Sequence, residues 1–379
     1  MPSNNPPPTI PTSQQAYCVT EFGQPLQKLN IPVPNPQNTE ILIRVTHAGV
    51  CHSDLHFQEG FYRLGATQKF YLKDRGATLP RAVGHEILGR VVAYGPDVSE
   101  ADKAEQGGGS PLGSSRAVYP WCGCGACRRC EDGDDNLCLK QRTRGVFVDG
   151  GFAQYITVPH AKYLVPHDGV DPAVACTYGC SGLTVLSAIE KLGPLKPRDP
   201  VLLIGAGGLG LQAIGVLKAL GHEHIVSADI TDAKLQAASK EGASGVVNSS
   251  GGVEEAVKRA TEVAGEPYYG VIDFVNTTPT AELAYACLNK GGRMVSVGIL
   301  GGELQVKLSL LIFGSKTIEG NIVGNPRHMR DVMKLAVDGK LKPLPVTEVP
   351  WEEANEAMDR LSRGEVTGRL VLVHESDGR

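Results

Sequence analysis

The chain has 379 residues, enough for two domains of ordinary size with a core each. Apolar residues make up 41% and charged residues 21%, the balance of a soluble globular protein rather than a disordered one. Lys and Arg total 37 against 41 Asp and Glu, a net charge of −4 with no basic block, so nothing favours nucleic acid or an anionic membrane as a partner. No apolar run reaches the length of a transmembrane helix. The Pro-, Ser- and Asn-rich start, Met1–Gln15, lacks the apolar core of a signal peptide. It reads as a frayed tail, and a cytoplasmic location follows by default.

In chain order, Glu40–Ala48 alternates apolar and polar residues and is predicted as a strand, as are Glu86–Tyr94 and Ala153–Val158. Frequent Gly and Pro make the first 165 or so residues β-rich and antiparallel. Glu105–Ser115 reads as a flexible loop. The pattern changes near Pro172. A helix is predicted over Val174–Lys191, then a short apolar strand of the kind buried in a parallel sheet, Val201–Ile204. A helix over Gly210–Leu220 and a strand over His224–Ala228 follow. Further strands are expected at Gly245–Val247, Gly270–Val275, Arg293–Val297 and Lys316–Ile322, most of them separated by helices at Asp232–Glu241, Gly252–Val263 and Thr280–Leu288. Such alternation predicts a doubly wound parallel sheet. Helices at Arg327–Asp338 and Trp351–Arg363 and a strand at Gly368–His374 close the chain.

The strand Val201–Ile204 runs straight into Gly205-Ala-Gly207-Gly208-Leu209-Gly210. A bare glycine motif is weak, but here a strand precedes it and a helix follows. Gly205 permits the tight turn, Gly207 lets the backbone approach a pyrophosphate, and Gly210 lets helix and strand pack closely. The exposed N–H groups at the helix start then bind the phosphates, with Gly208 and Leu209 of the run also set against the cofactor. Asp229 ends the second strand, 19 residues after Gly210. A carboxylate there accepts the ribose hydroxyls and repels a 2′-phosphate, which favours NAD over NADP. Lys234 stands close enough in sequence to approach the ribose.

Four of the ten cysteines, Cys124, Cys127, Cys130 and Cys138, share one short run. Four thiolates on a compact loop suit a closed tetrahedral zinc of structural role, against the alternatives of loop disulfides or an iron–sulfur cluster. Cys122 falls outside this spacing and reads as a spare thiol. A second group is dispersed. Cys51-His52-Ser53-Asp54-Leu55-His56, then His85-Glu86, then Cys180 are each unremarkable alone, and spacing does not join them.

These motifs resemble the zinc-containing alcohol dehydrogenases of the medium-chain dehydrogenase/reductase superfamily. The resemblance rests on CHSDLH (51–56), GHEILGRVVAYG (84–95), CGACRRCEDGDDNLC (124–138), DGGFAQY (149–155), CSGLTVLSAI (180–189) and GAGGLG (205–210), and spans nearly the whole chain. It implies an α/β fold. A β-rich GroES-like catalytic domain would cover 15–181 and 323–379, a Rossmann NAD-binding domain 182–322, with 1–14 a disordered tail. It implies hydride transfer between NAD and a primary or secondary alcohol, aldehyde or ketone, with two zinc ions per chain. Cys51, His85 and Cys180 would hold the catalytic one, with Glu86 an alternative ligand. Asp54 would orient His85, Ser53 would touch the substrate hydroxyl, and His56 would pass its proton to solvent. His52 and Arg369 would flank the pyrophosphate, and Thr184 would lie near the nicotinamide. Tyr62, Trp121, Ile299 and Leu300 would line an apolar pocket, although core packing explains Tyr62 and Trp121 equally well. Relatives pair through the sheet edge, here Ser315–Val323, which implies a homo-oligomer, a tetramer or a dimer. Two departures from the family pattern stand out: a long link at Arg63–Leu79, which follows Tyr62 and would roof the pocket, and GSSRAV before Tyr119. A polyol dehydrogenase of the same fold, or a catalytically silent nucleotide-binding relative, is the alternative.

Overall fold

The alternation at residues 40–48 produces the strand Ile41–Val50, the centre of an open, mostly antiparallel sheet. The computed structural model in which this is seen describes residues 10–65, 67–104 and 109–374. Residues 1–9 of the expected tail and 105–108 of the expected loop lie outside them. The chain forms two compact units, one of Met1–Gly60, Gly76–Cys180 and Val346–Arg379, the other of Phe61–Arg75 and Ser181–Pro345.

In the first unit, Ile41–Val50 pairs antiparallel with Glu86–Tyr94, Arg369–Val373 and Tyr155–Val158. Ser115–Val118 and Leu164–Val165 extend the sheet on one side and Val346–Pro350 on the other. Gly49 is registered against both Glu86 and Val371. A smaller sheet joins Gln27–Pro32, Ser13–Val19 and Arg81–Ala82. Its first strand corrects the expected tail, because Ser13 and Gln14 are already paired. The Gln14 amide donates to the carbonyls of Pro32 and Tyr155, and its oxygen accepts from Tyr155 N–H.

The expected helix Val174–Lys191 is not uniform. It runs α-helical over Pro172–Thr177, widens to a π turn over Tyr178–Gly182, and resumes over Leu183–Lys191. Local chemistry explains the break. Gly179 and Gly182 are poor helix formers, and Thr177 turns its hydroxyl back onto Val174 O at 2.7 Å. Counted through, the 20 residues Pro172–Lys191 are long and apolar enough to cross a membrane, contrary to the sequence reading. They are 94% buried over their most apolar window, as a core helix is. A π turn of this kind commonly marks a functional position, and this one carries Cys180.

The second unit holds a six-stranded parallel sheet in the order Gly245–Asn248, Ile225–Asp229, Val201–Ile204, Tyr268–Asp273, Leu288–Ser296, Thr317–Gly320. The strand order reverses between Val201–Ile204 and Tyr268–Asp273, the crevice where such sheets bind ligands. The boundaries differ from the expected domains in two places. Residues 323–345 belong to this unit because the helix Pro326–Val337 packs on Leu183–Lys191, where Arg327 reaches Glu190 at 2.6 Å. The link after Tyr62 also joins it, as a hairpin of Phe61–Leu64 and Gln68–Tyr71. A helix at Leu308–Gly314 was not expected from the sequence, and its Leu308, Leu310, Ile312 and Phe313 side chains are exposed.

Candidate functional site

Cys51 directly follows the central strand Ile41–Val50 and caps the helix His52–Glu59. Asp54, one turn in, closes the capping box by accepting from Cys51 N–H at 2.9 Å. Its other oxygen accepts from Gly84 N–H and from His85 Nδ1, both at 3.1 Å. One buried carboxylate therefore fixes the start of the helix, the Gly84 turn and the His85 ring. Because a carboxylate only accepts, Nδ1 carries the proton in the neutral His85 ring, which leaves the lone pair to Nε2. That Nε2 is buried with no hydrogen-bond partner.

Cys180 arrives from the π turn. The sulfurs of Cys51 and Cys180 and a ring nitrogen of His85 lie within 4.8 Å of one another, all buried. Trp121 braces this group. Its ring lies 5.3 Å from that of His85, and its Nε1 donates to Gly179 O at 3.0 Å. Trp121 is therefore tied to the ligand scaffold, a role the sequence reading did not give it. The buried groups shift one another's protonation strongly. A hydrogen bond from the Cys180 thiol pulls Cys51 well down against the effect of burial, with His85 and Arg369 helping, while the same bond and burial push Cys180 up. Burial opposes charge on His85, yet Asp54 and Cys51 together push it well up.

Glu86 is fully buried beside these residues, and neither of its oxygens has a hydrogen bond. Arg369 lies in the interior with Nη1 3.4 Å from Glu86 Oε1. Burial pushes the Glu86 carboxyl up to about 7, with Arg369 opposing. Gly49 makes the space, since a Cβ there would stand 2.1 Å from Glu86 Oε2. The sequence reading missed Gly49; the only signal was a glycine inside a strand, which marks close approach. On the helix, His52 is exposed and Ser53 and His56 are half-buried. Ser53 and His56 are three apart, on one face.

The sulfurs of Cys124, Cys127, Cys130 and Cys138 also lie within 4.8 Å of one another. Cys138 Sγ accepts from the N–H groups of Cys124 and Lys140 at 3.4 and 3.3 Å, the kind of support that a bound thiolate receives. The Ala126 N–H holds the exposed Cys124 thiol down at about 7, and burial pushes Cys130 up to about 12. None of the ten cysteines is in a disulfide. Cys122 is buried apart, its thiol directed at Tyr119 O.

In the second unit, the helix Gly208–Ala219 begins inside the glycine run, two residues earlier than expected. Gly205 has φ +97°, and a Cβ there would meet Val275 Cγ2 at 2.7 Å. A Cβ on Gly210 would strike Gly205 O at 1.9 Å, whereas one on Gly207 would meet nothing within 4 Å. The open side of Gly207 is the room that a pyrophosphate requires. Asp229 does more than end its strand. Its oxygens accept from Ala206 N–H at 2.8 Å and Thr231 N–H at 3.0 Å, so it also holds the glycine loop. Lys234 is half-buried in the first turn of Asp232–Glu241. Thr184 is buried, and its hydroxyl has no partner. Ile299 and Leu300 are exposed. The turn after them meets the hairpin, since a Cβ on Gly301 would stand 2.5 Å from Arg63 Cβ. Tyr62, paired with Phe70, is thereby brought close to that loop.

Two family models match the chain, the alcohol dehydrogenase GroES-like domain over residues 37–168 and the zinc-binding dehydrogenase over 208–338. An NAD-dependent alcohol dehydrogenase of Sulfurisphaera tokodaii is 36% identical, covering 95% of this chain and 99% of the relative. The alcohol dehydrogenase of Aeropyrum pernix has a similar structure, with TM-score 0.82 and 28% identity over 95% of this chain and 99% of that one. Acetophenone reductase from Geotrichum candidum, solved with NAD, gives TM-score 0.79 and 27% identity over 96% and 98%.

Proposed function

Because this chain belongs to the zinc-containing alcohol dehydrogenase family, we propose that it transfers a hydride between NAD and an alcohol, aldehyde or ketone, with Cys51, His85 and Cys180 holding the catalytic zinc. The observation that carries this reading is the buried Cys–His–Cys cluster, with His85 Nε2 unpartnered and its lone pair set by Asp54. Two thiolates and one imidazole suit zinc, and three protein ligands keep a fourth place open. Zinc bound there would supply Lewis acidity, and NAD bound in the second unit would supply the hydride-accepting chemistry.

The chain's own residues do the rest. Ser53 accepts the substrate hydroxyl's proton while giving up its own, and His56, on the same helix face, takes the released proton onward to solvent; Glu59, 3.5 Å from His56 Nδ1, steadies the charge that results. Asp54 keeps His85 in one tautomer. Glu86 supplies a carboxylate beside the ligands, held back by Arg369. Asp229 and Lys234 face the adenosine ribose, Gly207 receives the pyrophosphate, and the Thr184 hydroxyl meets the nicotinamide. Tyr62, Ile299 and Leu300 line the path of an apolar substrate. The four cysteines Cys124, Cys127, Cys130 and Cys138 hold a second, structural zinc, giving two per chain.

The enzyme works in the cytoplasm as a homo-oligomer. The edge strand Thr317–Gly320 and the exposed Leu308, Ile312 and Phe313 of the adjoining helix offer an apolar face of the kind that marks an interface. The test of function is NADH formation over a panel of alcohols, with and without a zinc chelator. Turnover that the chelator abolishes is expected; no turnover on any alcohol by zinc-loaded protein would favour a silent nucleotide-binding role.

A further inference from the structure

Asp273 lies at the C-terminal end of its strand, registered against Ile204 and so beside the turn of the glycine loop. It is fully buried. Its Oδ1 accepts from Val275 N–H and Asn276 N–H, both at 2.9 Å, and the Thr280 hydroxyl also interacts with the carboxyl. Such a carboxylate is costly to bury unless it fixes something of value. What it fixes is the loop that follows. Asn276 takes the left-handed conformation, φ +62°, and its Nδ2 donates to Gly298 O at 3.0 Å. Gly302 N–H donates back to Asn276 O at 2.7 Å, and Val297 N–H and Gly298 N–H both donate to Asp273 O. The backbones touch so closely that a Cβ on Gly298 would stand 2.3 Å from Val275 O, and one on Gly302 2.3 Å from Thr277 C. Val275, in turn, packs on the bare Cα of Gly205.

At the C-terminal rim of the sheet, the Asp273 side chain thus fixes its own loop, and the Asn276 side chain with three backbone bonds ties that loop to residues 297–302, while Val275 packs on the glycine loop. The adenosine half of a dinucleotide falls to the strand side of Asp229; the other half must cross the switch point and reach the rim formed by residues 273–277 and 297–302. We infer that Asp273 and Asn276 are positioning residues, which pre-assemble the rim that receives the nicotinamide half of the cofactor. This rests on the reading of the unit as a dinucleotide site. Neither residue needs to touch the cofactor. Pre-assembly removes the ordering cost that a loose rim would charge against binding.

The test is fluorescence titration of NADH, alongside calorimetric titration of 5′-AMP, on the full-length protein and on Asn276→Gly. Glycine keeps the left-handed backbone and loses only the bond to Gly298. NADH is expected to bind roughly threefold to tenfold more weakly, the effect of one hydrogen bond, while AMP binding stays as in the parent. Asp273→Asn should show the same split more strongly if it folds; Asn276→Gly carries the test if it does not. Unchanged NADH affinity in Asn276→Gly would overturn the inference. So would an equal loss for NADH and AMP, which would mean general loosening of the unit. Failure of the parent protein to bind NADH would instead sink the dinucleotide reading itself.

Discussion

Asp54 Oδ1 accepts from His85 Nδ1 at 3.1 Å, while Asp54 Oδ2 accepts from Cys51 N–H at 2.9 Å. One carboxylate thus orients two candidate zinc ligands that lie 34 residues apart in sequence. Asp54→Ala is expected to weaken zinc retention about ten- to hundredfold, the usual effect of losing such a partner. It should also cost about 1 kcal/mol of stability from the lost cap. Chelator competition and thermal denaturation measure the two. Unchanged zinc retention would show that His85 needs no orienting partner.

Gly207 and Gly210 make opposite demands. A side chain on Gly207 meets nothing, whereas one on Gly210 collides with Gly205 O. Gly207→Ala should leave the melting temperature close to that of the parent and weaken NADH binding. Gly210→Ala should destabilise the fold by about 2 kcal/mol, the order of an overpacked contact. If Gly207→Ala bound NADH as tightly as the parent, the open space would not be the pyrophosphate site.

Gly49 gives Glu86 its place. Gly49→Ala puts a methyl group where the carboxylate lies and should displace Glu86 from Arg369. Turnover is expected to fall, with a stability loss of about 1–3 kcal/mol from overpacking. Parent-like kinetics together with parent-like stability would show that the position of Glu86 is immaterial.

His374 predicts a pH dependence of stability. Burial lowers it from 6.5 to about 4, and its ring lies 4.8 Å from that of Trp351. Between these values the unfolded chain binds a proton that the folded chain does not. Stability is therefore complete above about pH 6.5 and is lost as pH falls toward 4, by up to about 3 kcal/mol. His374→Phe should flatten this part of the curve in denaturant titrations at pH 7.5 and 4.5. An unchanged slope would assign the acid sensitivity to other groups.

Much of this was legible in the sequence, for physical reasons. The apolar-rich stretch Glu86–Tyr94 and the buried run Val201–Ile204 both form strands as read, although the first four residues of Glu86–Tyr94 are all buried rather than alternating. The four-cysteine loop is local, so spacing alone brings its sulfurs together. The dispersed cluster is not local, and only the likeness to a family joined Cys51, His85 and Cys180 before the fold did. The π turn at Cys180 escaped the sequence because its apolar residues keep a helical period through it. Asp273, Asn276 and Gly49 escaped for another reason. Their roles lie in backbone contacts between distant loops and strands, which no periodicity records.

The most direct measurement of the central claim is zinc content per chain together with NADH formation, in the parent protein and in Cys180→Ala. The parent is expected to hold two zinc ions and to oxidise at least one alcohol. Cys180→Ala should retain one, at the four-cysteine loop, and lose turnover while keeping its fold by circular dichroism. A folded Cys180→Ala that still holds two zinc ions and turns over at the parent rate would contradict the account.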